Sequence, residues 1–568
     1  MKRILTAVFA CLVLAACAAI PTGGPVNEGD AEVAQGKASL PILEGPVPGA
    51  TPSAIVRGFL AAAVGGSVSG YDVAREFLTP AASNGWDPLA EVTVFDSRQV
   101  VPNFDETTGT FTYAVPVAAR VDAAGVLTEA TPDENRTLEF ALTTDGDGNS
   151  RIASLDDGIV MSAADFTRYF RPIKLMFASA DLVTLVPEVR WFPNNDQIAT
   201  AAARELVRGS SPWLTDAVRT GFPPGSALNV DAVVVEDGIA TVALAPGSAG
   251  DASERSLAGE QLLLTLTQLS SVQEVVTTVG NLPLAGDDSA ALETAPLPDE
   301  RAAVIVGGRL GYWYDNAVTV TPASVGVVPE GASGLALAYD ALTIAMVVDG
   351  SVVTTTALAD STALEAPPAE PDAAGGPVIP TTTLVEGRDL VAPSYDAHGW
   401  LWTAESESSG TVLVVAGDGT LVTLAAPQLA GRSIQALEMS RDGARLAVLS
   451  RAGGGQVLEV MAVERDESGV PLALGQPLAL GPAVRESIDL AWLDDVSVAT
   501  IGEESGEIWM VDVGGWTTGV TAVAGGSSVT ARNGVRTLLT VGEGILFARS
   551  GTSWAPKAAN VSDVTYAG

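Results

Sequence analysis

The chain is poor in the residues that most often carry chemistry. Its 568 residues include two cysteines and one histidine. Both cysteines, Cys11 and Cys17, lie before residue 18. One histidine and no later cysteine exclude a zinc site of the usual type and catalysis by a cysteine nucleophile. Lysine is almost missing too, at Lys2, Lys37, Lys174 and Lys557. Acidic residues outnumber basic ones 68 to 30, for a formal net charge of −38. Such a chain is repelled by nucleic acid and by anionic lipid headgroups. Beyond the first 16 residues no apolar run reaches 18 residues, and no Gly-rich phosphate loop of either standard spacing occurs.

What is present begins at the start of the chain. Lys2 and Arg3 precede an apolar run from Ile4 to Ala16 that is interrupted only by Thr6. The run is too short for a final membrane span but suits a signal-peptide core. The next step, Leu14-Ala15-Ala16-Cys17, resembles the bacterial lipobox. That resemblance implies cleavage before Cys17 and a thioether to diacylglycerol on its sulfur. Residues 1–16 are therefore expected to be a lipoprotein signal peptide, and Cys17 the lipidation site. Cys11 would leave with the signal, so no intrachain disulfide could form. Loss of Lys2 and Arg3 would take the charge from −38 to −40. The lipid would hold the chain on the extracytoplasmic face of the cell membrane while the charge keeps its domains off the surface.

Residues 17–50 contain Pro21, Pro25, Pro41, Pro46 and Pro48 among small and acidic residues. They read as a disordered tether with an r.m.s. reach of about 30 Å. Residues 51–170 read as an α+β domain. Thr51-Pro52 opens a helix with Ile55, Val56, Phe59, Leu60 and Ala63 on one face, and a second helix runs from Tyr71 to Leu78 and ends at Pro80. Strands follow, one of them alternating at Phe111, Tyr113, Val115 and Val117. Residues 171–285 read as a second α+β domain. It has a helix ended by Gly209, a hairpin turning at Asp237-Gly238 and a helix from Leu257 to Leu269. Residues 286–300 read as a linker.

Residues 301–568 change in texture to short β-rich runs with a degenerate repeat. "LALAYDALTIAMV", "PSYDAHGWLWTA", "MSRDGARLAVLS" and "LAWLDDVSVATI" share an apolar lead-in, an aspartate near a turn and an apolar run. Their aspartates, Asp340, Asp396, Asp442 and Asp494, lie 56, 46 and 52 residues apart. A period near 50 with four short strands per unit predicts a β-propeller of five or six blades. The fold class is thus multidomain, two α+β domains followed by an all-β propeller. "EAPPAEPDAAGGPVIP" (365–380) reads as an exposed loop within it.

"VRGFLAA", "AREFLTP", "GWDP" and "LVPEVRWFP" resemble the actinobacterial LpqB lipoprotein family. "FPPGSALN", "VEDGIATVALA" and "QLLLTLTQL" are similar to the GerMN domain within it. The resemblance covers the mature chain in the order lipobox, N-terminal domain, GerMN domain, propeller. It implies a non-enzymatic accessory protein outside the membrane that binds the sensor domain of a histidine kinase, MtrB. Through MtrB and its regulator MtrA it would act on cell-wall homeostasis and division. A cell-wall glycan-binding propeller, or a propeller glycosidase or lyase, are the alternative readings.

No catalytic, cofactor or metal residue is assigned. Asp145, Asp147, Asn149, Ile152 and Asp156 match ligand spacings of an EF-hand loop, but Ser150 stands where glycine is wanted and the flanks are strands. Ser394, Asp396 and His398 are too close around one turn to build a relay. Trp400, Trp402, Trp492, Trp509 and Trp516 are read mainly as blade core, with a minority able to line a face.

Overall fold

The computed structural model describes residues 43–96, 103–105, 110–230, 232–248, 250–280, 282–286, 292–320, 326–356 and 378–568. The first helix, Pro52–Ser69, starts where Thr51 accepts the Ala54 N–H at 3.3 Å and Pro52 presets φ. Ile55, Val56, Phe59, Ala62 and Ala63 bury one face of it. They pack on a sheet ordered Ser150–Ser154, Asn135–Thr144, Thr110–Asp122, Glu91–Phe95, Ile159–Ser162. Phe59 meets Trp86 edge-on at 5.1 Å and Phe140 at 6.1 Å. Each such buried aromatic contributes roughly 1.5–3 kcal/mol. Pro80 departs from expectation. It opens a further helix, Pro80–Gly85, with Thr79 as cap, and the second helix is one turn, Asp72–Arg75. A proline lacks only an N–H that the first helical position leaves unpaired, so Thr-Pro starts a helix as readily as it stops one.

The second domain follows without a break. Helix Ala163–Tyr169 runs directly into strand Phe170–Ser179, which pairs antiparallel with Leu185–Pro193. Phe170 and Trp191 still belong to the first domain's core. Two helices, Ile198–Arg208 and Ala252–Leu266, share one apolar cluster with this hairpin and with strand Ile239–Leu244. The last helix starts earlier than its apolar stripe suggests. Asp251 and Glu254 form a reciprocal capping box that starts the helix at Ala252, five residues ahead of Leu257. Asp237 and Gly238 both have positive φ (50° and 83°), as a two-residue hairpin turn requires.

Six four-stranded sheets follow among the described residues. Blade 1 joins strands of residues 302–320 to the C-terminal strand Val561–Thr565. Blades 2 to 6 take strands within residues 333–385, 394–425, 433–480, 487–520 and 526–559 in order. The first strands of successive blades, with Val561–Thr565 standing for blade 1, neighbour one another in a closed ring. Between every two blades lies one apolar cluster. Leu446 and Val448 face blade 3 while Ala447 and Leu449 face blade 5. Both faces of the inner strands are covered, so strands such as Ala302–Val306, Arg445–Ala452 and Ser497–Gly502 are buried almost continuously rather than in alternation. Outer strands such as Thr517–Val520 and Ser553–Ala559 stay largely exposed.

The ring is clasped side chain to backbone. Asp563 accepts the Leu335 N–H at 3.0 Å, Ser394 that of Met439 at 3.0 Å and Glu438 that of Trp492 at 2.6 Å. Asp489 accepts from Val529 at 2.9 Å and Thr530 from Tyr566 at 3.0 Å. Each acceptor sits on the first strand of one blade and each donor on that of the next, except Tyr566, which directly follows Val561–Thr565. At the remaining junction Gly568 bridges, donating to the Leu337 carbonyl and accepting from the Tyr395 N–H, both at 3.2 Å.

Burial is the main cause that raises the three clasp carboxyls, Glu438 to about 8, Asp489 to about 7 and Asp563 to about 6. Their backbone partners oppose this without cancelling it. Folded pKa values above unfolded ones mean that the folded state holds extra protons. The stability they contribute is full below about pH 4 and is lost as pH rises through the folded values. The melting temperature is therefore expected to fall between pH 6 and pH 9. Glu438→Gln keeps an acceptor for Trp492 and carries no charge, so it should raise the melting temperature at pH 9 and flatten the upper part of the profile. Differential scanning calorimetry of both chains checks this, and a variant that melts lower than the parent at pH 9 refutes it.

Candidate functional site

The four repeat aspartates sit in the turns between the first and second strands of blades 2 to 5. Each closes its turn by accepting backbone N–H groups. Asp340 accepts from Leu342 at 2.8 Å, Asp396 from His398 and Trp400 at 2.9 Å, Asp442 from Ala444 at 2.9 Å and Asp494 from Val496 at 2.9 Å. This is why the repeat needs aspartate at that place. All four turns lie at one end of the propeller, and on blades 3 to 5 that end receives the hairpin of the second domain.

The contacts run across the seam in order. His398 Nε2 lies 2.9 Å from Asp181 Oδ2, and Thr184 donates to the Asp442 carbonyl at 3.3 Å. Arg445 reaches the Pro187 carbonyl at 3.5 Å. Lys174 Nζ is 2.8 and 2.9 Å from the two Asp495 oxygens. Trp191 Nε1 donates to the Gly514 carbonyl at 2.8 Å. The first domain joins through Glu129, which accepts the Thr517 N–H at 2.8 Å and its hydroxyl, and through Phe166, whose ring is 5.8 Å from Trp516. Residues 292–300 also take part. Glu293 accepts the Leu185 N–H and donates to the Val183 carbonyl, both at 2.9 Å, and the Pro298 carbonyl accepts from Arg532.

The buried charges at this end are matched by close partners. Asp442 and Arg445, both nearly without exposure, form a buried ion pair. Ser440 and the Ala444 N–H also bond Asp442, and Arg445 donates to the Asp495 carbonyl at 2.6 Å and lies over the Trp492 ring. Blade 3 repeats the device: Arg465 donates to Asp396 at 2.6 Å and to the Gly443 and Gly469 carbonyls at 2.8 Å. Arg441 stretches across the ring to the Trp492, Leu493 and Ala531 carbonyls at 3.0–3.2 Å, and its burial lowers its pKa. Burial pushes the Asp181 carboxyl up, but Ser179, His398 and the Val183 N–H more than offset it and hold it below the usual range. Glycine is needed at 443 and 469. Both have positive φ, and an added Cβ would stand 3.0 and 2.6 Å from the His398 ring.

The residues singled out from sequence disperse. Cys17, the signal peptide, residues 17–42 of the tether and residues 365–377 of the loop lie outside the described residues. Asp145 accepts the N–H groups of Asp147 and Asn149 in its own turn and lies 3.5 Å from Arg151, while Asp156 faces Arg136 at 3.8 Å. Ser394, Asp396 and His398 point to Met439, Trp402 with Arg465, and Asp181 respectively. Trp402 and Trp492 are buried, with indole N–H bonds to Asp396 and the Glu438 carbonyl. Trp400 and Trp509 pack on blade cores, and Trp516 on the first domain.

Fold and seam together define a class: a β-propeller that carries two α+β domains docked on one end. Residues 45–167 match the N-terminal domain of lipoprotein LpqB, and residues 308–564 match the lipoprotein LpqB beta-propeller domain. Residues 174–285 match the domain described as sporulation and spore germination. Lipoprotein LpqB of Thermobifida fusca is 29% identical over 582 residues, covering 89% of this chain and 88% of the relative. That of Mycolicibacterium smegmatis is 28% identical, covering 89% and 88%. Among solved structures, TolB from Acinetobacter baumannii is similar over 48% of this chain and 68% of its own, at 13% identity and a TM-score of 0.34. The chain belongs to the LpqB lipoprotein family.

Arg445→Met keeps the side-chain stem and leaves Asp442 buried without its cation. The expected loss of stability is about 3–5 kcal/mol, the usual cost of breaking a buried pair. Urea unfolding measures it. A loss under about 1 kcal/mol would mean that the pair does not hold the seam.

Proposed function

We propose that this chain is a lipid-anchored, extracytoplasmic accessory protein that docks the sensor domain of an MtrB-like histidine kinase and biases its signalling in cell-wall homeostasis and division. Family membership supports the lipid anchor, and Cys17 is the residue that would carry it. The observation that carries the docking reading is the fusion of the domains. The second domain sits on one propeller end at blades 3 to 5, and among the described residues neither α+β domain bonds to the other end, which we assign to a partner. That free end is acidic: Glu407, Glu486, Glu503, Glu504, Glu507 and Glu543 are exposed on its loops. A basic patch on a partner would be steered to it, and binding one kinase conformation in preference would shift the kinase equilibrium. The glycan-binding alternative called for tryptophans around a concave face. Of the five considered, two are buried and three pack on blade cores or the first domain.

Two measurements test the reading. Cys17→Ser should release the chain from the membrane fraction with its melting temperature unchanged, because Cys17 precedes the folded body by more than 25 residues. A serine variant that still fractionates with lipid sinks the anchor assignment. A lipid-free chain beginning at Ala18 should bind the sensor domain in calorimetry, more weakly at high salt. Reversing Glu503, Glu504 and Glu507 to lysine should weaken it about tenfold or more. No binding by the parent refutes the kinase reading, and equal binding by the reversed chain refutes the choice of face.

A further inference from the structure

The second domain carries an open groove of about 850 Å³, inside the size range of ligand sites. Its charge runs against the rest of the chain. Arg204, Arg208 and Arg219 line it, and Glu254 is the acidic residue among its lining. Glu254 is held in the capping box, where its carboxylate accepts the Asp251 N–H at 2.8 Å. By contrast, the cleft of about 700 Å³ between the first and second domains sets Asp122, Asp196 and Glu205 against Arg204 alone. A locally basic groove in a chain of net charge −38 is a selective place for an anion.

The arginines stand on two walls. Arg204 and Arg208, four residues apart, share a face of helix Ile198–Arg208, and Arg219 ends strand Val218–Arg219 opposite. Glu205 Oε2 orients Arg208 at 2.9 Å, yet 61% of the Arg208 side chain stays exposed. Thr215, Thr220 and Asn229 add short polar groups between the walls, and Val207 and Phe222 form an apolar floor. Gly209 and Gly225, both with positive φ, also line it, with nothing within 4 Å of an added Cβ. A lone small anion needs donors that converge on one point. Cations spaced along two walls of an open trough, with hydroxyl and amide groups between them, instead suit a chain of hydroxyl-rich rings with carboxylates at intervals.

We infer that this groove binds a segment of acidic polysaccharide, independently of any partner on the propeller. The probe is a hyaluronan hexasaccharide titrated into the lipid-free chain from Ala18 by calorimetry. Chitin hexasaccharide serves as the uncharged glycan and hexaglutamate as the acidic peptide. The expected result is salt-sensitive binding of hyaluronan alone. Arg219→Glu should weaken it at least tenfold with the melting temperature unchanged, and Arg219→Lys should weaken it by less than about threefold. Absent binding of hyaluronan overturns the proposal, as does undiminished binding by Arg219→Glu. Equal binding of the chitin hexasaccharide overturns the anionic requirement, and equal binding of hexaglutamate overturns the glycan.

Discussion

The arrangement of the three folded parts depends on one buried ion pair, Asp442 with Arg445. Taking both charges out of water is costly, and their mutual attraction offsets the cost only when their remaining hydrogen-bond sites are filled. The fillers come from different parts of the molecule. Ser440 and Ala444 belong to the same turn, the Asp495 carbonyl to blade 5 and the Pro187 carbonyl to the second domain. The pair gathers these partners only when blade 4, blade 5 and the hairpin are all in place, and even then the buried Arg445 Nε has no hydrogen-bond partner among the described residues. Propeller closure and domain docking are therefore coupled. An apolar contact of equal area would hold the parts together but would tolerate sliding. Directional partners on three elements do not.

Much of the fold was legible because it rests on local chemistry. The aspartates spaced by about 50 residues mark turns that only an acceptor at that place can close. Gly209 and Asp237-Gly238 mark a helix end and a hairpin for equally local reasons. Errors fell where a residue has two roles. Pro80 stops one helix and starts another, and the Asp251–Glu254 box lies before the apolar stripe it serves. The seam was not legible at all. Asp181 and His398 are 217 residues apart and Trp191 and Gly514 are 323 apart, and nothing in either local sequence announces the other. Two weak signals existed. The lone histidine stands near a repeat aspartate, and the turns that pack on its ring carry glycine at 443 and 469, where an added Cβ would crowd it. Both become readable only once the turns are known to share an end.

The clasped ring adds a different constraint. Apolar clusters between blades give affinity without fixing height, since a blade can slide along its neighbour with little loss of area. A side-chain hydrogen bond at five junctions, and the bridging Gly568 at the sixth, fix the height of every blade. Serine and threonine serve at two junctions and carboxyls at three. A hydroxyl in those three places would do the same with no charge to bury. The carboxyls thus tie the closure of the ring to proton concentration, which the hydroxyls do not.

The distribution of charge separates the two ends. At the fused end Asp181, Asp396, Asp442 and Asp495 each face a cation or close a turn, so they create little field outside. At the free end Glu503, Glu504, Glu507 and Glu543 stand exposed. The exposed glutamates give the free end an acidic field, felt within about a Debye length of 8–10 Å in physiological salt. That distance is short beside the molecule. A partner senses the field only after it has come near the free end, so orientation is selected before contact. Where the hairpin sits on blades 3 to 5, the seam carboxylates already face cations and the seam backbone groups are already bonded, so that surface is closed to a second partner.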